Sequence, residues 1–129
     1  MPIDLRWADE SHSILIQMPT GKWTWEDFYV ANTSITDRFN EGAAKVDVIM
    51  DWSQTQHWPL NTIVHGRNLL KNAHPKQDIT VFVGMNMVLS GMFKTFMQLN
   101  AAALKDMTIL VANNVDDGLT LLAKHRQSA

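Results

Sequence analysis

Strand-like and helix-like segments alternate along most of the chain, and this alternation limits the possible folds more than any other feature. Residues 46–51, 79–83 and 108–111 have strand character, and each is followed by a segment with helical signals. Parallel strands need a crossover connection between them, which is usually a helix and is right-handed. The alternation therefore predicts an α/β fold with a mostly parallel sheet and helices packed on it.

The first two apolar segments predict an antiparallel hairpin. Residues 3–7 and 12–18 have strand character and are separated by the polar loop 8–11. The expected fold is therefore a single open sheet of five strands, mostly parallel with an antiparallel first strand, in the order β-β-α-β-α-β-α-β-α. The length of 129 residues predicts one domain, residues 1–129.

Capping signals place the helices. Thr24 and Asp27 resemble a capping box, Trp23 and Phe28 a hydrophobic staple, and Gly42 a stop signal. The second helix is expected to start at Pro59 and to end near residues 74–75, and the third to cover residues 87–104 after Asn86. Asn114 is expected to cap the last helix.

Composition excludes several classes of function. Eleven Lys and Arg against thirteen Asp and Glu give a net charge of −2, with no basic surplus for a nucleic-acid backbone. The absence of Cys excludes thiolate catalysis, iron–sulfur clusters and disulfide scaffolds. The five His residues lack paired metal-ligand spacing, so neither a metal nor a cofactor is expected.

The first residues and the longest uncharged stretch bear on location. Residues 1–6 carry charge early and lack the apolar region of a signal peptide. Residues 79–93 are uncharged but are shorter than the roughly 20 residues that span a bilayer. We expect a cytoplasmic protein.

The order of elements, together with Val48-Ile49-Met50-Asp51-Trp52-Ser53 closing the third strand, resembles the STAS superfamily, and more closely its SpoIIAA-like (STAS/SEC14-like) branch. This resemblance covers nearly the whole chain and rests on architecture. It implies a small cytoplasmic module without catalytic activity. Such a module binds a protein partner, a small apolar ligand or a membrane surface, often as a homodimer.

The sequence differs from the sporulation anti-sigma-factor antagonists at the start of the second helix. Those proteins carry an Asp-Ser pair followed by Gly, in which the Ser is phosphorylated. The matching stretch here is Leu60-Asn61-Thr62-Ile63, with Thr62 as the nearest hydroxyl. No phosphorylation site is therefore carried over from the resemblance.

Asp51, Ser53 and His57 are the candidates for nucleophilic catalysis. Catalysis needs the Ser hydroxyl within hydrogen-bond reach of His, and a carboxylate that orients the ring. Their spacing does not ensure this geometry, and there is no G-x-S-x-G motif. The alternative is a loop in which Asp51 and Ser53 satisfy backbone groups, and we expect no catalytic residues.

Aromatic side chains point to a binding site at the carboxyl edge of the sheet. The loops after Met18, Asp51 and Gly84 should meet at this edge, where open α/β sheets bind ligands. Two of these loops hold four of the five Trp residues: Trp23, Trp25, Trp52 and Trp58. They suit the mouth of a ligand pocket or a membrane interface, and the alternative is that they plug the sheet end.

The predicted third helix carries a wide apolar arc. A core stripe is expected from five residues: Leu89, Met92, Phe96, Leu99 and Ala103. Phe93, Met97 and Leu104 extend it, and Met85 lies just before the helix. This flank either packs against a neighbouring helix or forms a patch for dimerisation, a ligand or lipid.

Basic side chains interrupt the apolar face of the predicted second helix. We treat this helix as a lid over a cavity between Trp52, Trp58 and the third helix, with Arg67 meeting an anionic head group. The alternative is that Arg67 is a solvated surface residue.

The sequence as a whole predicts a non-enzymatic module that binds a small apolar or amphipathic ligand, or associates weakly with membrane lipid, as a homodimer. The expected ligand-binding residues are Trp23, Trp25, Trp52, Trp58, Met85, Phe93, Met97 and Arg67. The alternative is a protein-interaction regulator in the manner of the anti-sigma-factor antagonists.

Overall fold

A computed structural model describes residues 3–59, 61–71 and 73–127, without the side chains of residues 63, 70 and 71. Leu60, named above in the stretch that precedes the second helix, and both ends of the predicted domain lie outside the described residues. The elements follow in this order: β1 (Ile3–Trp7), β2 (Ile14–Pro19), α1 (Trp25–Glu41), β3 (Val46–Asp51), α2 (Thr62–Lys71), β4 (Gln77–Val83), α3 (Met87–Leu99), α4 (Ala101–Leu104), β5 (Thr108–Ala112) and α5 (Val115–Gln127).

The five strands form one open sheet in the order β1-β2-β3-β4-β5. β1 runs antiparallel to β2, and all other neighbours are parallel. In the parallel part, Gln17 pairs with Met50, and Met50 pairs with Phe82. The predicted α/β fold with an antiparallel first strand is confirmed.

The sheet is covered on both faces. On one face, α1, α2 and α3 pack over Leu15, Val48 and Met50. On the other face, α5 packs through Leu122 against the apolar side chains of β2, β3 and β4. Because side chains alternate along a strand, successive residues of β2 and β3 enter different cores.

The first helix has the predicted ends. The Thr24 side chain accepts from the backbone N–H of Asp27 at 3.1 Å, and the Asp27 carboxylate accepts from that of Thr24 at 2.9 Å. The ring centroids of Trp23 and Phe28 lie 5.6 Å apart, and Gly42 is the C-terminal cap. The capping box, the staple and the stop signal are confirmed, and α1 leaves the sheet edge in a fixed direction.

The second strand starts two residues later than predicted. The Asp9 carboxylate accepts from the backbone N–H groups of Ser13 and Ile14, at 3.0 and 3.1 Å, and from the hydroxyls of Ser11 and Ser13. His12 has a φ of 54° and stacks on Trp7. These contacts keep residues 12 and 13 in the loop.

The second helix starts at Thr62, three residues after the predicted Pro59. Asn61 has a φ of 63°, a left-handed conformation that a continuing helix excludes. The Thr62 hydroxyl donates to the Pro59 carbonyl oxygen at 2.8 Å. The helix ends at Lys71, before the predicted end near residues 74–75.

The prediction of one continuous third helix was wrong. Asn100 interrupts it with φ −117° and ψ 17°, and its side-chain amide donates to the Phe96 carbonyl oxygen at 2.9 Å. The interruption changes which residues face the core: Leu104 is 4% exposed and Leu99 is 71% exposed. Ala103, also assigned to the core stripe, is exposed. The predicted caps Asn86 and Asn114 are confirmed.

Candidate functional site

The three loops at the carboxyl edge of the sheet contact one another, as predicted. Gly21 pairs with Thr55, and its backbone N–H donates to the Gln54 carbonyl oxygen at 2.8 Å. A Cβ atom on Gly84, which has a φ of 72°, would lie 2.7 Å from the backbone nitrogen of Ser53. Only glycine fits there, and the close approach holds the third loop against the second.

The four Trp side chains of these loops form one cluster. The ring of Trp23 lies 4.7 Å from that of Trp25, 6.0 Å from that of Trp52 and 5.8 Å from that of Trp58, measured between centroids. Trp52 and Trp58 are 4.8 Å apart. The Trp23 indole N–H donates to the Thr55 hydroxyl at 3.0 Å, so Trp23 joins the two loops.

Behind this cluster lies a cavity of about 360 Å³ between the sheet and the helices α1, α2 and α3. Side chains of β2, β3 and β4 form its floor, and side chains of the helices form its walls. Most of its surface is apolar, and the lining includes Trp25, Phe28, Phe39, Trp52, Phe82 and Phe96. A volume of a few hundred Å³ and a largely apolar lining are typical of small-molecule sites.

Two residues that line the cavity each carry a polar atom without a partner. Among the described residues, Gln17 Nε2 and Trp52 Nε1 are the buried side-chain donors without a hydrogen bond. By contrast, the amide of Gln77, which also lines the cavity, donates to the Thr80 hydroxyl at 2.8 Å. Within the described part of the lining, no residue is Lys, Arg, Asp or Glu, and the ionisable side chain is that of His74. The described lining is therefore largely apolar, with two unpaired N–H donors.

One wall of the cavity belongs to α2, through Thr62, Gly66 and Leu69. His65 of this helix stacks on Trp25 with 4.9 Å between ring centroids. Its Nδ1 lies 2.7 Å from the Tyr29 hydroxyl, which acts as donor when that nitrogen is unprotonated. Both partners belong to α1, so His65 joins the two helices beside the cavity.

The structure brings together only half of the predicted site residues. Trp25, Trp52, Trp58 and Phe93 line the cavity. The remaining four lie outside the lining: Trp23 is buried within the aromatic cluster, Met85 packs against the core, Met97 is half-buried and Arg67 is exposed. The flank of α3 therefore contributes Phe93 to a wall inside one chain.

Sequence reasoning did not identify Gln17, Gly66 or the Tyr29–His65 pair as parts of this site. One signal was available for Gln17, which is a polar residue in a strand whose neighbours Ile16 and Leu15 are apolar on both faces. The pairing of Tyr29 with His65 depends on how α1 and α2 pack, and no local pattern encodes it.

The Asp51, Ser53 and His57 candidates adopt a loop arrangement. Asp51 Oδ1 accepts from the backbone N–H of Ser53 at 3.0 Å. Ser53 and His57 are exposed, and no hydrogen bond joins their side chains within the described residues. Asp51 thus satisfies a backbone donor, which is the alternative role that the sequence left open.

The described residues contain no group of three or more His, Asp or Glu side chains able to hold a metal ion. In the same ranges, every helix is too short or too polar to cross a bilayer. Compared with known protein families and with characterised proteins, the sequence matches none at a significant level.

Proposed function

We propose that this chain is a non-enzymatic module that binds a small apolar or amphipathic ligand in the cavity between the sheet and α1, α2 and α3. The observation that carries the proposal is the cavity itself, about 360 Å³ and lined by aromatic side chains from α1, α3, β4 and the loop after β3. Small-molecule sites in proteins are usually concave and largely apolar, and this cavity has both properties.

The volume sets the size of that ligand. An apolar cavity of about 150 Å³ holds one benzene molecule, so by proportion this cavity takes a ligand of about twelve to fifteen non-hydrogen atoms. At roughly 0.3–0.6 kcal/mol per atom, binding contributes about 4–8 kcal/mol, which corresponds to millimolar to micromolar dissociation constants. The proposed ligand therefore exchanges with solution.

The order of elements supports the resemblance to the SpoIIAA-like branch of the STAS superfamily, and membership of it is part of this proposal. So are a cytoplasmic location, a homodimer and the absence of catalytic activity. The sheet order supports the family assignment.

Weak membrane association is the second candidate, favoured by one observation. Met87 and Val88, in the first turn of α3, are 92% and 68% exposed. If both inserted into lipid, each would contribute roughly 1.5–3 kcal/mol to membrane binding. The contribution of the pair is similar to that of a single acyl chain, which binds membranes reversibly. Co-sedimentation with phosphatidylcholine vesicles tests this. Wild-type protein should pellet with the vesicles and Met87→Ser/Val88→Ser should not, whereas equal pelleting removes the candidate.

Native mass spectrometry of the purified chain tests the leading proposal, together with equilibrium dialysis against 2-acetylnaphthalene, a molecule of the expected size. We expect one retained or added molecule per chain. The mass also gives the oligomeric state. A ligand-free chain that does not take up the probe up to its solubility limit would reject the cavity as a binding site, and a protein-interaction role would replace it.

A further inference from the structure

Gln17 is a buried amide whose donor lies in the wall of the cavity. It follows Leu15 by two residues on β2, so both side chains face the helices that cover the cavity. The residue is 3% exposed, and its Nε2 has no hydrogen-bond partner among the described residues. Burial of an unpaired amide is unfavourable because its hydrogen bonds with water are lost without replacement.

Trp52 presents a second donor from the neighbouring strand. Its backbone N–H donates to the Val83 carbonyl oxygen at 3.0 Å, which continues the β3–β4 pairing by one residue and fixes the start of the side chain. The residue is 8% exposed, and within the described structure its Nε1 has no partner. Trp23, in the same cluster, has its indole N–H satisfied by Thr55. Trp52 therefore differs from Trp23 in having a free indole donor.

The sheet register places Gln17 and Trp52 next to each other. Gln17 pairs with Met50, and Trp52 follows Met50 by two residues on the same face. Gln17 and Trp52 are thus diagonal neighbours on adjacent strands, and both line the same cavity. One oxygen atom accepts two hydrogen bonds through its two lone pairs, so a single acceptor between them would satisfy both donors.

The charge of the lining residues decides whether the acceptor is a charged oxygen, as in a carboxylate or phosphate, or a neutral carbonyl oxygen. The described lining residues include no Lys or Arg, their ionisable side chain, His74, stacks on Phe39, and Arg67 is exposed outside the lining. A buried carboxylate or phosphate without a cation is strongly unfavourable, whereas a neutral carbonyl needs only hydrogen bonds. The donors therefore suit a ketone, aldehyde, ester or amide oxygen.

We propose that the cavity selects a neutral, mostly apolar molecule with one carbonyl group, whose oxygen accepts hydrogen bonds from Gln17 Nε2 and Trp52 Nε1. This inference rests on the proposed function, because it assigns a chemical class to the ligand of the same cavity. The carbonyl end lies towards the carboxyl edge of the sheet, and the apolar body extends over Leu15 and Val48 towards Phe39.

A pair of ligands with matched size tests the inference. The dissociation constants of 2-acetylnaphthalene and 2-isopropylnaphthalene are measured by equilibrium dialysis, since the two differ by a carbonyl oxygen in place of a methyl group. Wild-type protein should prefer the ketone by about tenfold, the effect of two neutral hydrogen bonds. Gln17→Leu and Trp52→Phe should each reduce this preference, and the double variant should abolish it.

The matched controls replace a Gln and a Trp that do not line the cavity. Gln98→Leu changes an exposed Gln of α3, and Trp7→Phe changes the indole that stacks on His12. Both should keep the preference for the ketone. If wild-type protein binds both molecules equally, the cavity binds ligands but the carbonyl inference is wrong. If it binds neither, the proposed function fails as well.

An infrared measurement covers the case in which a variant folds poorly. The carbonyl stretching frequency of carbon-13-labelled 2-acetylnaphthalene, bound to wild-type protein, should lie below its value in hexane because both hydrogen bonds weaken the C=O bond. In folded Gln17→Leu the frequency should rise towards the hexane value. A bound ketone with the hexane frequency in wild-type protein would overturn the proposal.

Discussion

The Tyr29 hydroxyl lies 2.7 Å from His65 Nδ1 and joins α1 to α2 across the edge of the cavity. The His65 ring also stacks on Trp25, which lines the cavity, with an angle of 19° between the ring planes. One imidazole therefore links α2 to two positions on α1. Since α2 forms one wall, we expect this contact to limit how easily the cavity opens.

Loss of this hydrogen bond should accelerate ligand exchange. Tyr29→Phe removes the hydroxyl and retains the ring that contacts His65. Because Tyr29 is 40% exposed, the free energy of unfolding should fall by less than about 1 kcal/mol. Stopped-flow displacement of 2-acetylnaphthalene should show a faster dissociation rate. Val30→Ala, at the neighbouring exposed position, serves as the control, and an unchanged rate in Tyr29→Phe would show that the cavity opens elsewhere.

A methyl group added at Gly66 should stabilise the protein and weaken ligand binding. Gly66 lies inside α2 and lines the cavity, and the nearest atom to a Cβ there is Phe96 Cε2, at 3.6 Å. Gly66→Ala should therefore fit without strain and raise the free energy of unfolding by about 0.5–1 kcal/mol through helix propensity. Its methyl group occupies part of the ligand space.

Gly91→Ala is the matched control for this prediction. Gly91 lies inside α3, is exposed, and a Cβ there meets nothing within 4 Å. This substitution should give the same gain in stability, measured by urea unfolding, and leave the dissociation constant of 2-acetylnaphthalene unchanged. Equal ligand affinity in the two variants would contradict the placement of Gly66 in the binding site.

Local signals predicted the elements whose ends depend on nearby residues. The capping box at Thr24 and Asp27 formed as expected, because its partners lie three residues apart. The break at Asn100 was not predictable in this way, since an Asn in an apolar helical pattern looks like an ordinary exposed position. Its buried side chain instead bonds to the Phe96 carbonyl oxygen and ends the helix.

The Trp content of two loops was enough to locate the aromatic end of the site. The residues whose position depends on how the helices pack could not be located in this way. Four Trp in two loops indicated the aromatic end of the cavity, and the loops do meet. Arg67 was assigned to the site because it interrupts an apolar face, but the rotation of α2 leaves it exposed and turns Gly66 inwards. That rotation depends on contacts of α2 with α3 and α4.

Asp9 should make stability depend on pH below about 4. Burial raises the pKa of this carboxyl, but hydrogen bonds from the Ser11 and Ser13 hydroxyls and from the backbone N–H groups of Ile14 and Ser13 outweigh it and lower the pKa to about 2. The folded state therefore binds this proton less readily than the unfolded chain does. The stability from Asp9 is complete above the unfolded value of 3.8 and is lost as the pH falls towards 2.

Urea unfolding at several pH values measures this effect. At pH 7, Asp9→Asn should be less stable than wild-type protein. The difference should shrink as the pH falls from about 4 to about 2, because the wild-type carboxyl is then protonated in both states. Asp37→Asn, an exposed position on α1, should show no such convergence. A difference that stays constant over this range would contradict the hydrogen-bonded carboxylate.

Removal of Arg126 should destabilise the protein without changing ligand binding. Its guanidinium lies 2.7 Å from Asp47 Oδ2 and also donates to the Ser13 carbonyl oxygen at 3.0 Å, so it fixes the end of α5 to β2 and β3. The Asp47 side chain is 3% exposed, and in Arg126→Met this carboxylate would keep one partner among the described residues, the backbone N–H of Ile79.

The expected loss is about 1–3 kcal/mol, less than for a fully buried pair because 40% of the Arg126 side chain is exposed to screening by water. Asp47→Asn in the same background should recover part of it, since an amide carries no charge to leave unpaired. Arg6→Met, on the exposed face of β1, is the control for loss of a surface charge. Thermal unfolding of the four proteins checks both expectations.

Gln17→Leu should have opposite effects on the stability of the free protein and on ligand selection. In the free protein Gln17 Nε2 is buried without an acceptor among the described residues, so an apolar side chain of similar size should raise the free energy of unfolding by about 1 kcal/mol. The same substitution removes a donor that a carbonyl ligand would use. Proteins often retain such unfavourable groups at binding sites because the ligand compensates for them.

Urea unfolding of the two proteins, with and without saturating 2-acetylnaphthalene, separates these effects. Wild-type protein should gain more stability from the ketone than Gln17→Leu does, because ligand that binds only the folded state stabilises it in proportion to its affinity. Without ligand, Gln17→Leu should have the higher free energy of unfolding. If Gln17→Leu is instead less stable without ligand, the amide has a structural partner in solution, and the free donor in the cavity wall would be excluded.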